Sequence, residues 1–430
     1  MTIQGEVAAM PHTAFRKHIA IVGRRNVGKS SLINAIAGQD IALVSDVPGT
    51  TTDPVYKTME VKPLGPVTLI DTPGLDDEGL LGQKRVERAK RALYKADAAI
   101  LVVDDKPGPF EDFIVNLLRS LNIPFVIAVN KSDIAEKKQQ LAMDYKTFGV
   151  PVVEVAATKG TNMTELIQVL SSLMPEEEER PLVAHLLGPN KTAVLVVPVD
   201  KAAPKGRLIM PQVEAIRDII DHGGVAVVTR PPELEETLKK LSYKVDIVVT
   251  DSQVVMDVDK VVPPEIPLTT FSILEAANKS DLTMFLEGIE ALEKLQNDDC
   301  VAVVEACSHV PTCDDIGRVK IPRWIEEKLH LKLQYKFFAG KEFPEAENLE
   351  GCKLIIHCGG CVLTRNMFMR RMQLAKRLDL PVVNYGMLIS YLHGSLEKAI
   401  KPLLSGGYPP ATGGKTAILP GSSGVSTPFK

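Results

Sequence analysis

One octapeptide near the start of the chain limits the possible folds more than any other feature. It is GRRNVGKS (23–30), which directly follows the apolar segment HIAIVG (18–23) and begins a helical stretch at Lys29. A glycine-rich loop between a strand and a helix lets backbone amides surround a phosphate, and the helix N-terminus adds partial positive charge. In such a loop Lys29 contacts the β- and γ-phosphates, and the Ser30 hydroxyl ligates magnesium (Mg2+). The octapeptide therefore predicts a nucleoside triphosphate site in an α/β fold.

Three further motifs follow in the order and spacing of a GTP-binding protein. They are DTPG (71–74), NKSD (130–133) and AAT (156–158). Asp71 can hold magnesium through water, and the Gly74 amide can contact the γ-phosphate. The Asp133 carboxylate can accept both N–H donors of guanine, a pair that adenine does not offer. Each motif ends a strand-like run, where open α/β sheets bind ligands, so the set predicts GTP rather than ATP.

The motifs at 130–133 and 156–158 are predicted to bind the guanine base. We expect Asn130 to brace the loop, the Lys131 stem to cover the base, and a backbone amide of 156–158 to lie near guanine O6. The predicted GTP-binding residues are Asn26, Val27, Gly28, Lys29, Ser30, Ser31, Asp71, Gly74, Asn130, Lys131, Asp133, Ala156, Ala157 and Thr158.

Strand-like runs alternate with amphipathic stretches along the whole chain, a pattern typical of parallel sheets covered by helices. The predicted strands are 18–23, 67–71, 98–103, 124–130, 151–157, 192–199, 225–230, 246–252, 300–307, 333–340, 352–360 and 380–386. The predicted fold class is therefore α/β with three domains, an N-terminal P-loop GTPase parallel sheet and two smaller parallel α/β domains. We predict that these are a GTPase domain at 1–175, a middle domain at 182–298, a third domain at 299–404 and a flexible tail at 405–430.

Composition argues against two classes of partner. The formal net charge is −4 and aromatic residues make up 5% of the chain, whereas a specific RNA binder more often has a basic face and exposed stacking aromatics. We therefore expect no nucleic acid as partner. We also find no apolar run of the roughly 20 residues that would span a bilayer, and no signal-peptide pattern at the N-terminus. The expected location is the cytoplasm, with no membrane association.

The six cysteines all lie after residue 299, and clustering of this kind favours metal binding in a reducing compartment. Cys307 ends one strand-like run, and Cys358 and Cys361 lie at the end of another, so parallel pairing would bring three thiolates to one edge of a sheet. Buried cysteines can also be inert core residues, which is the alternative interpretation. Cys300 and Cys352 begin their strands, far from that edge, and we interpret them as structural.

The donor set favours an iron–sulfur cluster over zinc. Structural zinc needs four firm ligands, whereas a cluster held by three thiolates can keep one iron exchangeable. The glycines between Cys358 and Cys361 leave room and free amides for such a cluster. The candidates for the fourth ligand are His309, His357, Asp314 and Cys313.

The GTP-binding motifs resemble those of the Era, EngA and TrmE type of GTPase. Leu75 stands where Ras-like proteins have the glutamine that orients water. Asn26 together with SDVPGTTTD (45–53) resembles the potassium-activated members of that group. The resemblance implies GTP hydrolysis activated by potassium (K+), with K+ held by Asn26, the Ser45 and Val47 carbonyls and Thr50. It also implies that Thr51 completes the magnesium shell with Ser30, and a catalytic set of Lys29, Asn26, Thr51, Asp71 and Gly74.

A GTPase of this type, a middle α/β domain and a terminal cysteine–histidine unit together resemble the iron–iron hydrogenase maturation GTPases, the HydF family. The resemblance covers residues 15 to about 403. It implies a scaffold or carrier whose Cys307, Cys358 and Cys361 bind a 4Fe-4S cluster and whose middle domain dimerises, giving a homodimer or higher oligomer. Its cargo would be a transient di-iron precursor, and its partners the radical-SAM maturases HydE and HydG and the apo iron–iron hydrogenase.

Two other functions compete with this interpretation. The first domain alone would suit a ribosome-assembly or tRNA-modification GTPase with a zinc-stabilised C-terminal domain. A zinc-stabilised interaction protein with a regulatory GTPase is the rival from another class. The acidic balance and the C-terminal cysteines argue against the first of these.

Overall fold

The structure is a computed structural model that describes residues 16–38, 55–72, 92–134, 138–174, 181–199, 208–306, 315–340 and 343–405. The chain forms two compact units. The first contains the amino-terminal part through Glu179 together with the segment Cys361–Arg371, and the second contains most of the remainder.

The first unit contains a six-stranded sheet in the order β2-β3-β1-β4-β5-β6. Its strands are β1 (Lys17–Val22), β2 (Val55–Val61), β3 (Gly65–Asp71), β4 (Ala98–Val103), β5 (Phe125–Val129) and β6 (Val152–Glu154). Neighbouring strands are parallel except for β2, which pairs antiparallel with β3. Every residue of β4 and β5 is buried, as the unbroken apolar runs predict for strands covered on both faces.

Helices cover both faces of this sheet. They are α1 (Lys29–Ala37), α2 (Pro109–Ser120), α3 (Lys138–Lys146) and α4 (Met163–Leu173), with a 3-10 helix at Ala157–Lys159. Leu32 of α1 and Leu166 of α4 pack in one hydrophobic cluster, whereas Leu118 of α2 and Leu141 of α3 pack in another. The carboxyl ends of β1, β3 and β5 thereby lie at one edge of the sheet.

The segment Cys361–Arg371 belongs to the first unit, where it contacts a buried carboxylate. The Thr364 hydroxyl donates to Oδ1 of Asp97 at 2.9 Å, and the backbone N–H of His18 donates to its Oδ2 at 2.8 Å. Arg370 donates to the carbonyl of Ala96. Both oxygens of this almost fully buried Asp97 are therefore hydrogen-bonded, as burial of a carboxylate requires.

The second unit contains two four-stranded parallel sheets, in the orders β10-β9-β7-β8 and β12-β11-β13-β14. The first comprises β7 (Thr192–Val196), β8 (Val225–Thr229), β9 (Ile247–Thr250) and β10 (Leu268–Thr270). The second comprises β11 (Cys300–Glu305), β12 (Gln334–Ala339), β13 (Cys352–His357) and β14 (Val382–Asn384).

Helices connect these strands in the carboxyl-terminal half of the chain. They are α5 (Ala184–Leu187), α6 (Met210–Asp221), α7 (Leu234–Lys240), α8 (Val255–Val261), α9 (Phe271–Lys279), α10 (Leu282–Glu293), α11 (Ile321–Leu329), α12 (Ala346–Leu349), α13 (Arg365–Arg377), α14 (Tyr385–Leu392) and α15 (Leu396–Ser405). The shorter helical turns are Pro231–Glu233, Ser252–Val254 and the π-helix Ile316–Lys320. Among the described residues no helix is long and apolar enough to cross a bilayer.

One hydrophobic cluster joins the two sheets of the second unit. It includes Val194 and Val248 from the first of these sheets and Val303 and Ile356 from the second. The helix α10 packs closely on β14, because a Cβ added to Gly288 would lie 2.1 Å from the carbonyl oxygen of Val382. The two sheets therefore share one core.

The predicted fold class is confirmed, with differences at the element level. The sequence does not predict β2 or β10. It predicts a strand at 151–157, whereas β6 ends at Glu154 because a 3-10 helix begins at Ala157. The predicted domain boundaries stay predictions, and most of the tail at 405–430 lies outside the described residues.

Candidate functional site

The phosphate loop follows β1 in a conformation that depends on its glycines. Gly28 has φ +96° and a Cβ there would lie 2.2 Å from Nδ2 of Asn130. A Cβ on Gly23 would lie 2.3 Å from the carbonyl oxygen of Val102. Asn26 also adopts a left-handed φ of 63°, which asparagine tolerates better than most residues. The loop thus turns tightly against β4 and β5.

Lys29 lies over this loop at the start of α1. Its Nζ donates to the carbonyl oxygens of Gly23 at 2.9 Å and Arg24 at 2.7 Å. The side chain is buried, so these carbonyls hold the ammonium at the mouth of the loop. Arg24 points away and forms two hydrogen bonds of 2.7 Å to the buried carboxylate of Glu111 in α2. Lys29 and not Arg24 is therefore the cation directed at the loop.

The described magnesium candidates meet where α1 begins and β3 ends. The Ser30 hydroxyl donates to Oδ2 of Asp71 at 3.1 Å. Burial raises the pKa of Asp71, while the Ser30 hydrogen bond and the charge of Lys29 act in the opposite direction. A hydroxyl and a carboxylate at this spacing are oxygen donors of the kind that magnesium prefers.

The base-side motifs converge through one side chain. The amide of Asn130 donates to the carbonyl of Val27 at 2.8 Å and accepts from the N–H of Ala157 at 3.1 Å. It therefore joins the phosphate loop, the NKSD loop and the AAT loop. Lys131 forms an ion pair with Asp104, and Nζ of Lys159 lies 3.2 Å from Oδ2 of Asp133.

Several predicted residues of this site lie outside the described residues. They are Ser45, Val47, Thr50, Thr51, Gly74 and Leu75. Of the predicted potassium ligands, the structure therefore describes Asn26 alone. Val27 lies in the phosphate loop and Ser31 in the first turn of α1. Ala156 directly precedes the 3-10 helix that contains Thr158.

A second candidate site lies where β11 and β13 end. These strands pair in parallel with Val304 opposite His357, so both lead to the same edge. The N–H of Cys358 donates to the carbonyl of Val304 at 3.1 Å, and the N–H of Ala306 donates to Sγ of Cys358 at 3.1 Å. Ala306 is the residue directly before Cys307 in the sequence.

The remaining cluster candidates differ in what is described. Cys307, His309, Cys313 and Asp314 lie outside the described residues. Cys361 is half-buried, and His357 is fully buried with Nδ1 2.7 Å from the carbonyl of Cys358. Because a carbonyl can only accept, Nδ1 carries the proton in this hydrogen bond. Among the described residues no group of three His, Cys, Asp or Glu side chains is arranged to hold a metal.

Sequence reasoning missed a buried acid–phenol pair at this edge. The hydroxyl of Tyr385 donates to Oε1 of Glu305 at 3.3 Å. Burial, then the charges of Glu305 and Cys358, raise the pKa of Tyr385 well above its ordinary value. An acidic residue ending the apolar strand CVAVVE was the signal that could have indicated Glu305.

The two other described cysteines lie together at the opposite ends of the same strands. Cys300 and Cys352 are paired in register, with their sulfur atoms 2.9 Å apart. Burial and the neighbouring Cys300 raise the pKa of Cys352 to about 12. This thiol therefore stays protonated, which suits the structural role predicted for the pair.

Comparison with known proteins follows the same division of the chain. Residues 18–131 match a family model described as a 50S ribosome-binding GTPase. Residues 182–280 match the hydrogen maturase F dimerization domain, and residues 283–402 match the hydrogen maturase F tetramerization domain. The two maturase models together span about half of the chain. The chain belongs to the HydF family.

Relatives of this HydF-family chain are GTPases. GTPase Der of Solidesulfovibrio magneticus is 30% identical over 331 residues, which are 68% of this chain and 72% of Der. The tRNA modification GTPase MnmE of a Synechococcus species is 35% identical over 204 residues, 45% of this chain and 43% of MnmE. The G domain of the T. maritima FeoB iron transporter is 27% identical with a TM-score of 0.29, covering 37% of this chain and 98% of that domain. The HydF-family chain is thus a P-loop GTPase that binds and hydrolyses GTP with Mg2+ and carries dimerisation and tetramerisation domains.

We expect Asn130→Ala to weaken GTP binding at least about tenfold and to lower the free energy of unfolding by about 2 kcal/mol. The substitution leaves the buried carbonyl of Val27 and the N–H of Ala157 without their hydrogen bonds. Titration with a fluorescent GTP analogue and urea denaturation measure the two effects. Asn116→Ala removes an exposed amide from α2 and should change neither. Wild-type affinity in Asn130→Ala would contradict the bracing role.

Proposed function

We propose that this chain is a GTP-hydrolysing scaffold that binds a 4Fe-4S cluster and assembles and delivers the di-iron precursor of the iron–iron hydrogenase active site. The observation that carries the proposal is the hydrogen bond from Ala306 to Sγ of Cys358 at the shared end of β11 and β13. The maturase domains at 182–280 and 283–402 support it, and they argue against a ribosome-assembly or tRNA-modification role.

The residues at that edge fit an iron–sulfur cluster. Thiolates are the ligands that such clusters take, and amide hydrogen bonds to their sulfurs are part of how a protein tunes them. Cys358 has such a bond already, and Gly359 allows Ser272 to approach the loop closely, since a Cβ there would lie 3.2 Å from Oγ of Ser272. We propose Cys307, Cys358 and Cys361 as the ligands. The fourth would be His309, His357, Asp314 or Cys313.

In the GTPase domain we propose that the described residues act as follows. Lys29 contacts the β- and γ-phosphates, exchanging its two carbonyl partners for phosphate oxygens. Ser30 ligates magnesium, and Asp71 holds a water on it. Asp133 selects guanine, and Asn130 keeps the phosphate and base loops in register. Gly74 and Thr51 complete the catalytic set.

Leu75 stands where Ras-like GTPases have a glutamine, and its side chain cannot stabilise the transition state. Another group must therefore supply the positive charge that stabilises the transition state. We propose that Asn26, with Ser45, Val47 and Thr50, holds a potassium ion that supplies this charge. The left-handed backbone and the exposed side chain of Asn26 support this, because they leave its amide free of the core in the turn that contains Gly23 and Gly28.

The middle domain would form the dimer. The strand β8 is an edge of its sheet, and its Val225 and Val228 are 51% and 45% exposed. Val213 and Ile220 of α6 are similarly exposed. An apolar strand edge of this kind needs a cover, and a second copy of the same edge supplies one. HydE, HydG and the apo-hydrogenase are the proposed transient partners of the oligomer.

The cluster proposal predicts that Cys358→Ser loses most of its iron after anaerobic reconstitution with iron and sulfide. EPR of the dithionite-reduced protein should show a 4Fe-4S signal for the wild type that falls at least about tenfold in the variant, because a serine oxygen is a poor ligand for this cluster. The variant should also fail to activate apo-hydrogenase. Cys300→Ser is the matched control, since it removes a thiol from the other end of β11. A full signal in Cys358→Ser would rule out the cysteine edge as the site.

The potassium proposal predicts that GTP turnover rises about tenfold or more when sodium is replaced by potassium at constant ionic strength. Asn26→Ala should lose this response while retaining GTP affinity within a few-fold. Phosphate release under saturating GTP measures both, with Asn116→Ala as control. Equal rates in the two salts would refute the proposal.

The dimer proposal predicts that Val228→Asp halves the molar mass of the smallest stable oligomer, because a charge on an apolar edge opposes its burial. Light scattering after size exclusion gives the mass, and circular dichroism checks the fold. Met143→Asp places the same charge on an exposed residue of α3 and should leave the mass unchanged. An unchanged mass in Val228→Asp would place the interface elsewhere.

A further inference from the structure

One face of α9 lies against the loop that carries Cys358. Ser272, Glu275 and Lys279 are spaced so that they share this face. Oγ of Ser272 is close to Gly359, and Nζ of Lys279 donates to the carbonyl of Gly360 at 3.0 Å. The middle domain therefore contacts the Cys-Gly-Gly-Cys loop at both of its glycines.

The contact at Gly360 is made by a charge that is almost fully removed from water. Glu275 is 1% exposed and Lys279 8%, and Nζ of Lys279 lies 2.7 Å from Oε2 of Glu275. A buried ammonium is costly unless it is paired and hydrogen-bonded, and here one carboxylate and one loop carbonyl satisfy it. Lys279 therefore links the Glu275 carboxylate to the backbone of the Cys-Gly-Gly-Cys loop.

A third ionisable group completes the arrangement. The half-buried Glu214 of α6 hydrogen-bonds to Glu275, and its burial and the charge of Glu275 raise its pKa to about 9. Glu214 is therefore protonated near neutral pH and donates a hydrogen bond to the Glu275 carboxylate. Glu214 therefore contacts the carboxylate of the ion pair between Glu275 and Lys279.

The loop that this lysine contacts is intrinsically pliable. It contains two consecutive glycines, and Gly360 has a left-handed φ of 65°. Glycines lose the most conformational freedom on ordering, so a loop built of them needs a fixed point to hold its flanking thiolates in place. The carbonyl of Gly360 directly precedes Cys361, so a hydrogen bond to it restricts the backbone next to that cysteine.

We propose that Lys279 is a positioning residue for the iron–sulfur cluster, with its ammonium fixing the Gly360 carbonyl between Cys358 and Cys361. This inference rests on the proposed function, because the cluster is what the loop would hold. The ammonium also favours the additional negative charge that the cluster gains when it is reduced. Lys279 thus acts on both the retention and the reduction potential of the cluster.

The test compares Lys279→Met with wild type after anaerobic reconstitution. We expect the variant to lose iron to a chelator about tenfold faster, as for loss of a hydrogen bond from a charged donor. Its EPR-monitored reduction potential should move to more negative values, a change that a purely structural role would not produce. Lys260→Met is the matched control, since Lys260 pairs with Asp257 on the surface of α8 at 3.1 Å. It should match wild type in both measurements.

A second variant and a second measurement keep the inference testable. Lys279→Met leaves Glu275 buried without its cation, which could prevent folding. The double variant Glu275→Met/Lys279→Met removes both charges, and we expect it to fold where the single variant does not. Hydrogen exchange of the 358–361 amides in the iron-free protein should be about tenfold faster in either variant. That measurement needs no cluster.

The outcomes separate the inference from the function. Iron loss within twofold of wild type, together with an unchanged potential, would overturn the role of Lys279 while leaving the cluster intact. Unchanged amide exchange would overturn the fixed point itself. A wild type without any 4Fe-4S signal would instead overturn the proposed function, and the cluster role of Lys279 with it.

Discussion

Parallel strand pairing brings the carboxyl ends of successive strands to a single edge, and both candidate sites of this chain depend on that geometry. In the first sheet it places the loops after β1, β5 and β6 together, so that Asn130 can hydrogen-bond to both Val27 and Ala157. In the last sheet the register of β11 against β13 brings the amide of Ala306 to the sulfur of Cys358. The nucleotide site and the cysteine site thus depend on the same backbone geometry.

The two edges differ in what holds their side chains. At the nucleotide site the group that joins the loops is neutral, the buried carboxamide of Asn130, and glycines fit against neighbouring backbone. At the cysteine edge the fixed groups are ionisable: Glu305 with Tyr385, and Glu275 with Lys279. Buried charge is expensive and is retained where geometry must be defined. The cysteine loop contains two consecutive glycines, so its conformation depends on such contacts. The phosphate loop depends on them less, because it continues directly into the first turn of α1.

Much of the fold and of the GTP site follows from local sequence, and the exceptions have physical causes. The runs that became β4 and β5 are unbroken because both faces are covered, and the phosphate-loop glycines are set by local backbone geometry. The strand β10 has only three residues, too few for a periodic signal, and β2 is an edge strand with a mixed pattern. Lys279 contacts Gly360 across 81 residues of sequence, and no local pattern encodes such a contact.

The hydrophobic cluster shared by the two sheets of the second unit has a thermodynamic consequence. Val194 and Val248 pack in the same cluster as Val303 and Ile356, so neither sheet can expose its face without opening the other. We expect this unit to melt in one cooperative transition rather than two. A ligand bound to one half then stabilises the other by mass action, through linkage alone and without any change of shape. Under the proposed scaffold function, cargo loading and self-association would be energetically coupled for this reason.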